Sequence, residues 1–456
     1  MKKPFFLILL AISSLVQAQY SINGTMTPPH KNDWVILYKI EGARQVFIKN
    51  TTIKKDTIVI DGENKLIGRF NFDLPENAKK GSYRTTYALQ GAGFVDFLFN
   101  KENISFTFNP SYPEQSVTFS KSKENQLYRE YLEAININQQ KLDSLQMVAL
   151  RNPNDSIQTT YKTVLNSVND VQDIYLKKSE NMMVNHFMKA TLRKNSPEVF
   201  TLMKNYLSNF IDTFFDNMNF NDKVLYNSSF LIDRISNYIF DLNYSKDPNL
   251  SKELYKKSIT KVMSKVSDKK FKKDVIEFLI TQFEASKNIE LVDYLFDNYY
   301  KKLPETLQNK KFKTDILSKL VAEVGRIAPD FSWKEGNKTY KLSTLKGSKY
   351  YVLTFWSTGC SHCLREIPQL HTFMKDKTNT KVISFAMEKD SFGWKNYIYK
   401  LNGWHNVLGL GKWENKTART YQVFSTPTYL ILDINKKIIA KPDNIRELKE
   451  FFIKKE

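Results

Sequence analysis

Tyr350-Tyr351-Val352-Leu353-Thr354-Phe355-Trp356-Ser357-Thr358-Gly359-Cys360-Ser361-His362-Cys363-Leu364-Arg365-Glu366-Ile367-Pro368 joins an apolar run to a short turn and then to a helix-forming stretch. The run from Tyr350 to Trp356 is rich in aromatic and branched residues and reads as a buried strand. Ser361 to Lys375 reads as the helix that follows. At their junction stand the only two cysteines of the 456-residue chain. Cys360 falls at the start of the helix, where unpaired N–H groups and the helix dipole stabilise a thiolate. Cys363 lies one turn further in. A structural disulfide closing so short a loop would constrain the unfolded chain little. Reversible thiol–disulfide chemistry explains the pair better.

Outward from this stretch, residues 326–456 alternate between strand and helix. Lys381 to Met387 reads as a strand and Phe392 to Tyr399 as a helix. Thr428 to Leu432 is a strand with Lys437 to Lys441 as its hairpin partner, and a last helix lies around Asn444–Ile453. Parallel pairing through crossovers, then an antiparallel hairpin, gives a three-layer α/β domain.

Upstream, the glycines divide the chain. Seven lie from Gly24 to Gly93, none follows until Gly325, and eight lie from Gly325 to Gly411. Residues 20–120 carry short β-branched and aromatic runs such as Trp34 to Tyr38, Gln45 to Ile48, Arg69 to Phe72 and Ile104 to Phe108. They predict a small β-sandwich or barrel. The segment 121–325, which holds no glycine before Gly325, is hard to build from hairpins and easy to build from helices joined by Asn, Asp, Ser and Pro. Leu127, Tyr128, Tyr131 and Leu132 mark one apolar face, and Val275, Phe278, Leu279 and Phe283 another. Ser196-Pro197-Glu198 reads as a helix start. His186 has no partner at metal-ligand spacing and reads as a packing residue. The segment has no fixed-length repeat. The expected chain is multidomain: a β-rich unit, an all-α segment and an α/β domain.

Met1-Lys2-Lys3-Pro4, the apolar run Phe5 to Ile12 and the ending Val16-Gln17-Ala18 describe a secretory signal peptide over residues 1–18. The run is short for a membrane span, and no later stretch approaches one, so no transmembrane span is expected after cleavage. The net charge is +20, from lysines spread along the whole chain. No basic run interleaved with aromatics suggests a nucleic-acid groove; the charge reads as a solvated basic surface.

From Ile327 onward the sequence resembles the thioredoxin superfamily and, within it, the exported TlpA/ResA-type branch. The resemblance rests on Ala328-Pro329-Asp330-Phe331, Leu342-Ser343-Thr344-Leu345-Lys346-Gly347, Phe355-Trp356 before the dithiol, Glu366-Ile367-Pro368 after it, and Ser425-Thr426-Pro427-Thr428. Residues 20–120 resemble a small β-rich domain of unknown function that often precedes such modules. The likeness implies a thioredoxin-like fold and a redox-active centre with no cofactor. In it, Cys360 attacks a substrate disulfide, Cys363 resolves the mixed disulfide, and Glu366 shuttles a proton for the buried thiol. Pro427 would be a cis-proline facing the sulfurs, leaving the backbone of Thr426 to pair with an incoming chain. Trp356 and Gly359 would join Thr426 in holding substrate, and Ser361 and His362 would tune the couple. Pro368 would kink the helix. Thr354 stands where many thioredoxins carry a buried acid, which leaves Glu366 as the nearby carboxylate.

The implied partners are disulfide-bearing proteins or cytochrome precursors and a thiol electron donor of the cell envelope. A His before the second cysteine also occurs in oxidising and isomerising relatives, so the same residues are open to a disulfide oxidase or isomerase. A third reading makes the chain an adaptor whose dithiol tunes a contact. Zinc would need two ligands beyond the cysteines, and only His362, His371 and His405 lie in this domain; no metal is expected. A thiol-peroxidase frame would need Pro where Leu353 stands.

Overall fold

The computed structural model describes residues 18–455 apart from Asp61 and Ala92. The expected leader up to residue 17 lies outside them. The chain forms two compact units that divide at Val275 and Ile276, inside the helix Lys269–Ala285.

The first unit opens with nine strands: β1 Ala18–Met26, β2 Trp34–Glu41, β3 Arg44–Thr52, β4 Lys54–Ile60, β5 Glu63–Pro75, β6 Gly81–Thr86, β7 Phe94–Phe99, β8 Ile104–Phe108 and β9 Thr118–Lys121. They make a five-stranded sheet, β4-β5-β1-β8-β9, and a four-stranded sheet, β3-β2-β6-β7. All neighbours are antiparallel except β1 and β8. Alternation puts Ile104, Phe106 and Phe108 of β8 inside with Phe70, Phe72, Phe97 and Phe99, so the core is largely aromatic. This is the expected sandwich. The edge of β7 is closed by a side chain: Asn125 Oδ1 accepts from the Leu98 amide and its Nδ2 donates to the Leu98 carbonyl, at 2.8 and 2.7 Å. At Leu98, at least, the edge has no free backbone pair to offer another strand.

Helices follow, led by the long pair Lys123–Arg151 and Asp155–Lys178. Asn, Asp and Ser cap them in place of glycine: Ser122, Asn154, Asp222 and Asp247 each accept from an amide of the first turn. Two expectations fail here. Ser196-Pro197-Glu198 starts no helix, and the next one begins at Met203. The amides of Val199 and Phe200 are instead taken by the side chains of Gln158 and Gln146, at 3.1 and 2.9 Å, on the two long helices. Tertiary acceptors thus outcompete the local turn. His186 is not packed away either; it is 44% exposed and its Nδ1 lies 2.6 Å from Asp222 Oδ2.

The second unit begins with the end of helix Lys269–Ala285, then has helices Ile289–Asn298 and Lys310–Lys319 and a hairpin of β10 Ser332–Glu335 and β11 Lys338–Lys341. Its central sheet contains β12 Tyr350–Trp356, β13 Thr380–Glu388, β14 His405–Leu410, β15 Thr428–Leu432 and β16 Ile438–Ala440, in the order β14-β13-β12-β15-β16. The first three run parallel, β15 runs antiparallel to β12, and β16 turns back antiparallel to β15. Helices Ser361–Met374 and Ile445–Ile453 cover one face, where Leu370, Met374, Leu448 and Phe452 meet Val352, Tyr429 and Ile431. The other face buries Tyr351, Leu353, Phe355 and Phe385 against Trp333 and Tyr421.

This is the expected three-layer α/β domain with additions. Neither β14 nor the β10–β11 hairpin was expected. The helix predicted over Phe392 to Tyr399 is one turn, Phe392–Lys395, then a 3-10 turn, Ile398–Lys400. Strand β14 reads poorly in sequence because Gly409 breaks it. The break has a cause: a Cβ at Gly409 would lie 2.2 Å from Cε1 of Phe385.

Candidate functional site

Strand β12 delivers the chain to the C-terminal edge of the sheet, and the turn Ser357-Thr358-Gly359 swings it into the helix Ser361–Met374. Cys360 is the N-cap of that helix, with φ −108° and ψ 114°. Its sulfur accepts from the amide of Cys363 at 3.2 Å, and its thiol donates to the Thr426 carbonyl at 3.4 Å. Both cysteines are free thiols; Cys360 is partly exposed and Cys363 fully buried.

The two thiols are electrostatically unlike. Partial burial works against a Cys360 thiolate. Hydrogen bonds from the side chains of Cys363 and Thr426, and from the amides of Cys363 and His362, outweigh it and hold the group below the ordinary thiol value. Burial pushes the Cys363 thiol up to about 12, and its hydrogen bond to Cys360 adds to the rise. One sulfur is therefore a ready nucleophile and the other a reserve that reacts only when its proton has somewhere to go.

The sequence-predicted residues gather around this pair with one exception. Thr426-Pro427 is a cis peptide, and Thr426 faces Cys360 across the site. Gly359 is exposed beside it. Ser361 and His362 are exposed on the first turn, and His362 Nδ1 lies 2.6 Å from Arg365 Nη2, turned to the surface. Pro368 lies inside the helix. Glu366, half-buried, accepts from the Tyr429 hydroxyl at 2.8 Å. The exception is Trp356. Expected to hold substrate, it is fully buried beneath Cys363 and Ile367, with Nε1 donating to Ser384 Oγ at 2.7 Å. A ring so enclosed is the floor of the dithiol, not its substrate surface.

Glu366 is also not the only carboxylate nearby. Glu388, at the end of β13, is buried; its Oε1 accepts from the Thr358 amide at 2.5 Å and its Oε2 from Ser357 Oγ at 3.3 Å. No spacing in the sequence ties Glu388 to the dithiol, because parallel strand pairing alone brings the two together. Tyr429 was missed for the same reason: it reaches the helix from β15, opposite Thr354 on β12. Thr354, in the place of the absent acid, is buried, and its Oγ1 has no partner among the described residues. Beyond the turn, Trp394 packs, as Cys360 does, against the buried cluster of Trp356, Cys363 and Ile367, and the backbone comes so close at Gly393 that a Cβ there would lie 2.7 Å from Thr358 Oγ1. Among the described residues no group of three His, Cys, Asp or Glu is placed to hold a metal, and no helix is long and apolar enough to cross a membrane.

Residues 324–441 match the model of the AhpC/TSA family. No curated protein matches the chain. Among solved structures, the chain is similar to a domain of a possible thiol-disulfide isomerase from Cytophaga hutchinsonii, at 28% identity over 29% of this chain and 92% of that one, with a TM-score of 0.26. It is similar to the thioredoxin domain of a thiol-disulfide oxidoreductase from Bacteroides vulgatus, at 25% identity over 29% and 96%, with a TM-score of 0.26. A thioredoxin-like protein from Bacteroides caccae matches at 15% identity over 58% and 98%, with a TM-score of 0.29. With the strand order and the dithiol helix described above, the family match identifies the C-terminal part of this chain as a thioredoxin-superfamily domain, preceded by a β-rich domain.

Proposed function

We propose that the chain is an exported thiol–disulfide oxidoreductase of the TlpA/ResA type that reduces disulfides in proteins or cytochrome precursors. The observation that carries the reading is the asymmetry of the dithiol: a low-lying, partly exposed Cys360 capping a helix, and a sealed Cys363 one turn behind it. The Cys360 thiolate attacks one sulfur of the substrate disulfide; a Cys360–substrate bond forms, and the other substrate sulfur leaves with the electron pair. Cys363 then attacks Cys360 Sγ. The mixed disulfide breaks, the second substrate sulfur leaves as a thiolate, and the Cys363 proton passes to the Glu366 carboxylate. The substrate has gained two electrons and the enzyme holds the Cys360–Cys363 disulfide, which a thiol donor in the envelope reduces. Gly359 and the Thr426-Pro427 backbone flank the attacked bond and hold the substrate chain. Export rests on the leader pattern of residues 1–18.

The same residues run in reverse describe an oxidase or isomerase. The stabilised Cys360 thiolate, helped by the His362 amide, favours that direction, because it favours the reduced enzyme. A redox titration separates the readings: the protein is held in graded thiol/disulfide buffers and its free thiols are counted by alkylation. A couple near about −270 mV supports the reductase, and one near about −180 to −120 mV the oxidase or isomerase. Thiols that never cycle would remove both and leave an adaptor.

A further inference from the structure

Tyr429 stands two residues after Pro427 on β15 and is fully buried on the sheet face beneath the dithiol helix, in one apolar cluster with Val352, Leu370 and Met374. A fully buried phenol needs a partner for its hydroxyl. It has one on the helix, Glu366 Oε2 at 2.8 Å, and among the described residues that is the only hydrogen bond the Glu366 carboxylate receives. Glu366 follows Cys363 by three residues, so the two share a helix face. A glutamate at a half-buried position has an easy alternative, which is to swing its charged end into water and away from the sulfur. A rigid phenol rooted in the sheet opposes that swing.

From this geometry we infer that Tyr429 is a positioning residue: its hydroxyl holds the Glu366 carboxylate beside the helix face that carries Cys363, leaving the second carboxylate oxygen free to take the Cys363 proton. The inference rests on the role given to Glu366 above. Burial, then the hydrogen bond and charge of Glu366, push the phenol far above its ordinary value, with Cys363 and Cys360 adding to the rise. Tyr429 therefore stays a donor throughout the working range and takes no proton itself. Thr354 directly opposite it is neutral, so its strand neighbour offers Cys363 no competing base.

The test uses the full chain and the aromatic disulfide 5,5′-dithiobis(2-nitrobenzoate). Attack by Cys360 releases one coloured thiolate in a first phase; resolution by Cys363 releases the second. Tyr429→Phe removes a single oxygen and keeps the packed ring. It should slow the second phase about tenfold and displace its pH profile, with the first phase unchanged. Added to Glu366→Gln, it should slow resolution no further, because the two act as one unit. A wild-type second phase in Tyr429→Phe overturns the inference, as does additive slowing in the double variant or a first phase that falls in parallel. If Glu366→Gln alone resolves at the wild-type rate, the shuttle role of Glu366 fails, and that result is distinct from a slow Glu366→Gln beside an unaffected Tyr429→Phe.

Discussion

Glu388 Oε1 takes the amide hydrogen of Thr358 at 2.5 Å, so the last residue of one strand fixes the turn that leaves its neighbour. The same carboxylate accepts from Ser357 Oγ, and Ser357 accepts in turn from the amides of Gly359 and Cys360. Glu388→Ala would leave the Thr358 amide without its partner. It should cost about 2–3 kcal/mol of stability in chemical denaturation and slow alkylation of Cys360, whose cap geometry depends on that turn.

The two thiols should titrate apart. Alkylation of Cys360 should reach half its limiting rate below the ordinary thiol value of about 8.5 and rise with pH up to that point, since the thiolate is the reactive form. In Cys360→Ser, Cys363 should react only far above that value, because burial, the largest cause of its shift, remains. A Cys363 that titrates like a free thiol would contradict the structure.

Gly409 carries a steric prediction. Its backbone is ordinary strand, so only space forbids a side chain, and Phe385 occupies that space. Gly409→Val should destabilise the redox unit by about 1–3 kcal/mol, read from its denaturation midpoint.

Asp233, in the first turn of helix Phe230–Ser236, is raised to about 6 by burial and by the charge of Asp96. The folded chain keeps this proton up to about pH 6, whereas the unfolded chain releases it near 3.8. Stability therefore falls as pH rises through that window, by an amount of the order of 2 kcal/mol. Asp233→Asn should be more stable than wild type at pH 8 and indistinguishable from it at pH 4 in urea melts.

The helices before residue 326 belong physically to the redox unit. Arg326 holds Asp293 with two hydrogen bonds of 2.7 and 2.8 Å, Lys441 meets Glu323 at 2.9 Å, and Ala322 is buried in the core of the sheet. A chain cut to residues 276–456 should keep the melting midpoint of this unit. One cut to residues 326–456 should melt lower by about 5 °C or more.

The parts that were legible in the sequence are those written by local pattern. Tyr350 to Trp356 declared its strand by composition, Cys360 and Cys363 declared their helix by spacing, and Ile104, Phe106 and Phe108 declared their buried face by alternation. What escaped was written by pairing between distant segments. Glu388 and Tyr429 reach the site only through the registers of β13 and β15 against β12. Strand β14 was hidden because the residue that suits it to Phe385 is a glycine, a strand breaker in local terms. Ser196-Pro197 misled because two glutamines 41 and 54 residues upstream of the amides they bind claim what a helix would have used. Trp356 misled because its place before the dithiol does not show that Cys363 and Ile367 of the following helix cover its ring.

The sealing of Cys363 has a consequence for survival under oxidative stress. Of the two thiols a peroxide reaches Cys360 and not the buried Cys363; its O–O bond breaks, one oxygen passes to Cys360 Sγ to give a sulfenic acid, and the other leaves as water or an alcohol. The neighbouring Cys363 thiol then condenses with that acid, expelling water and forming the ordinary Cys360–Cys363 disulfide. The burial that delays the second thiol in turnover thus keeps it intact as a scavenger, and stops damage at a rung that a thiol donor can reverse.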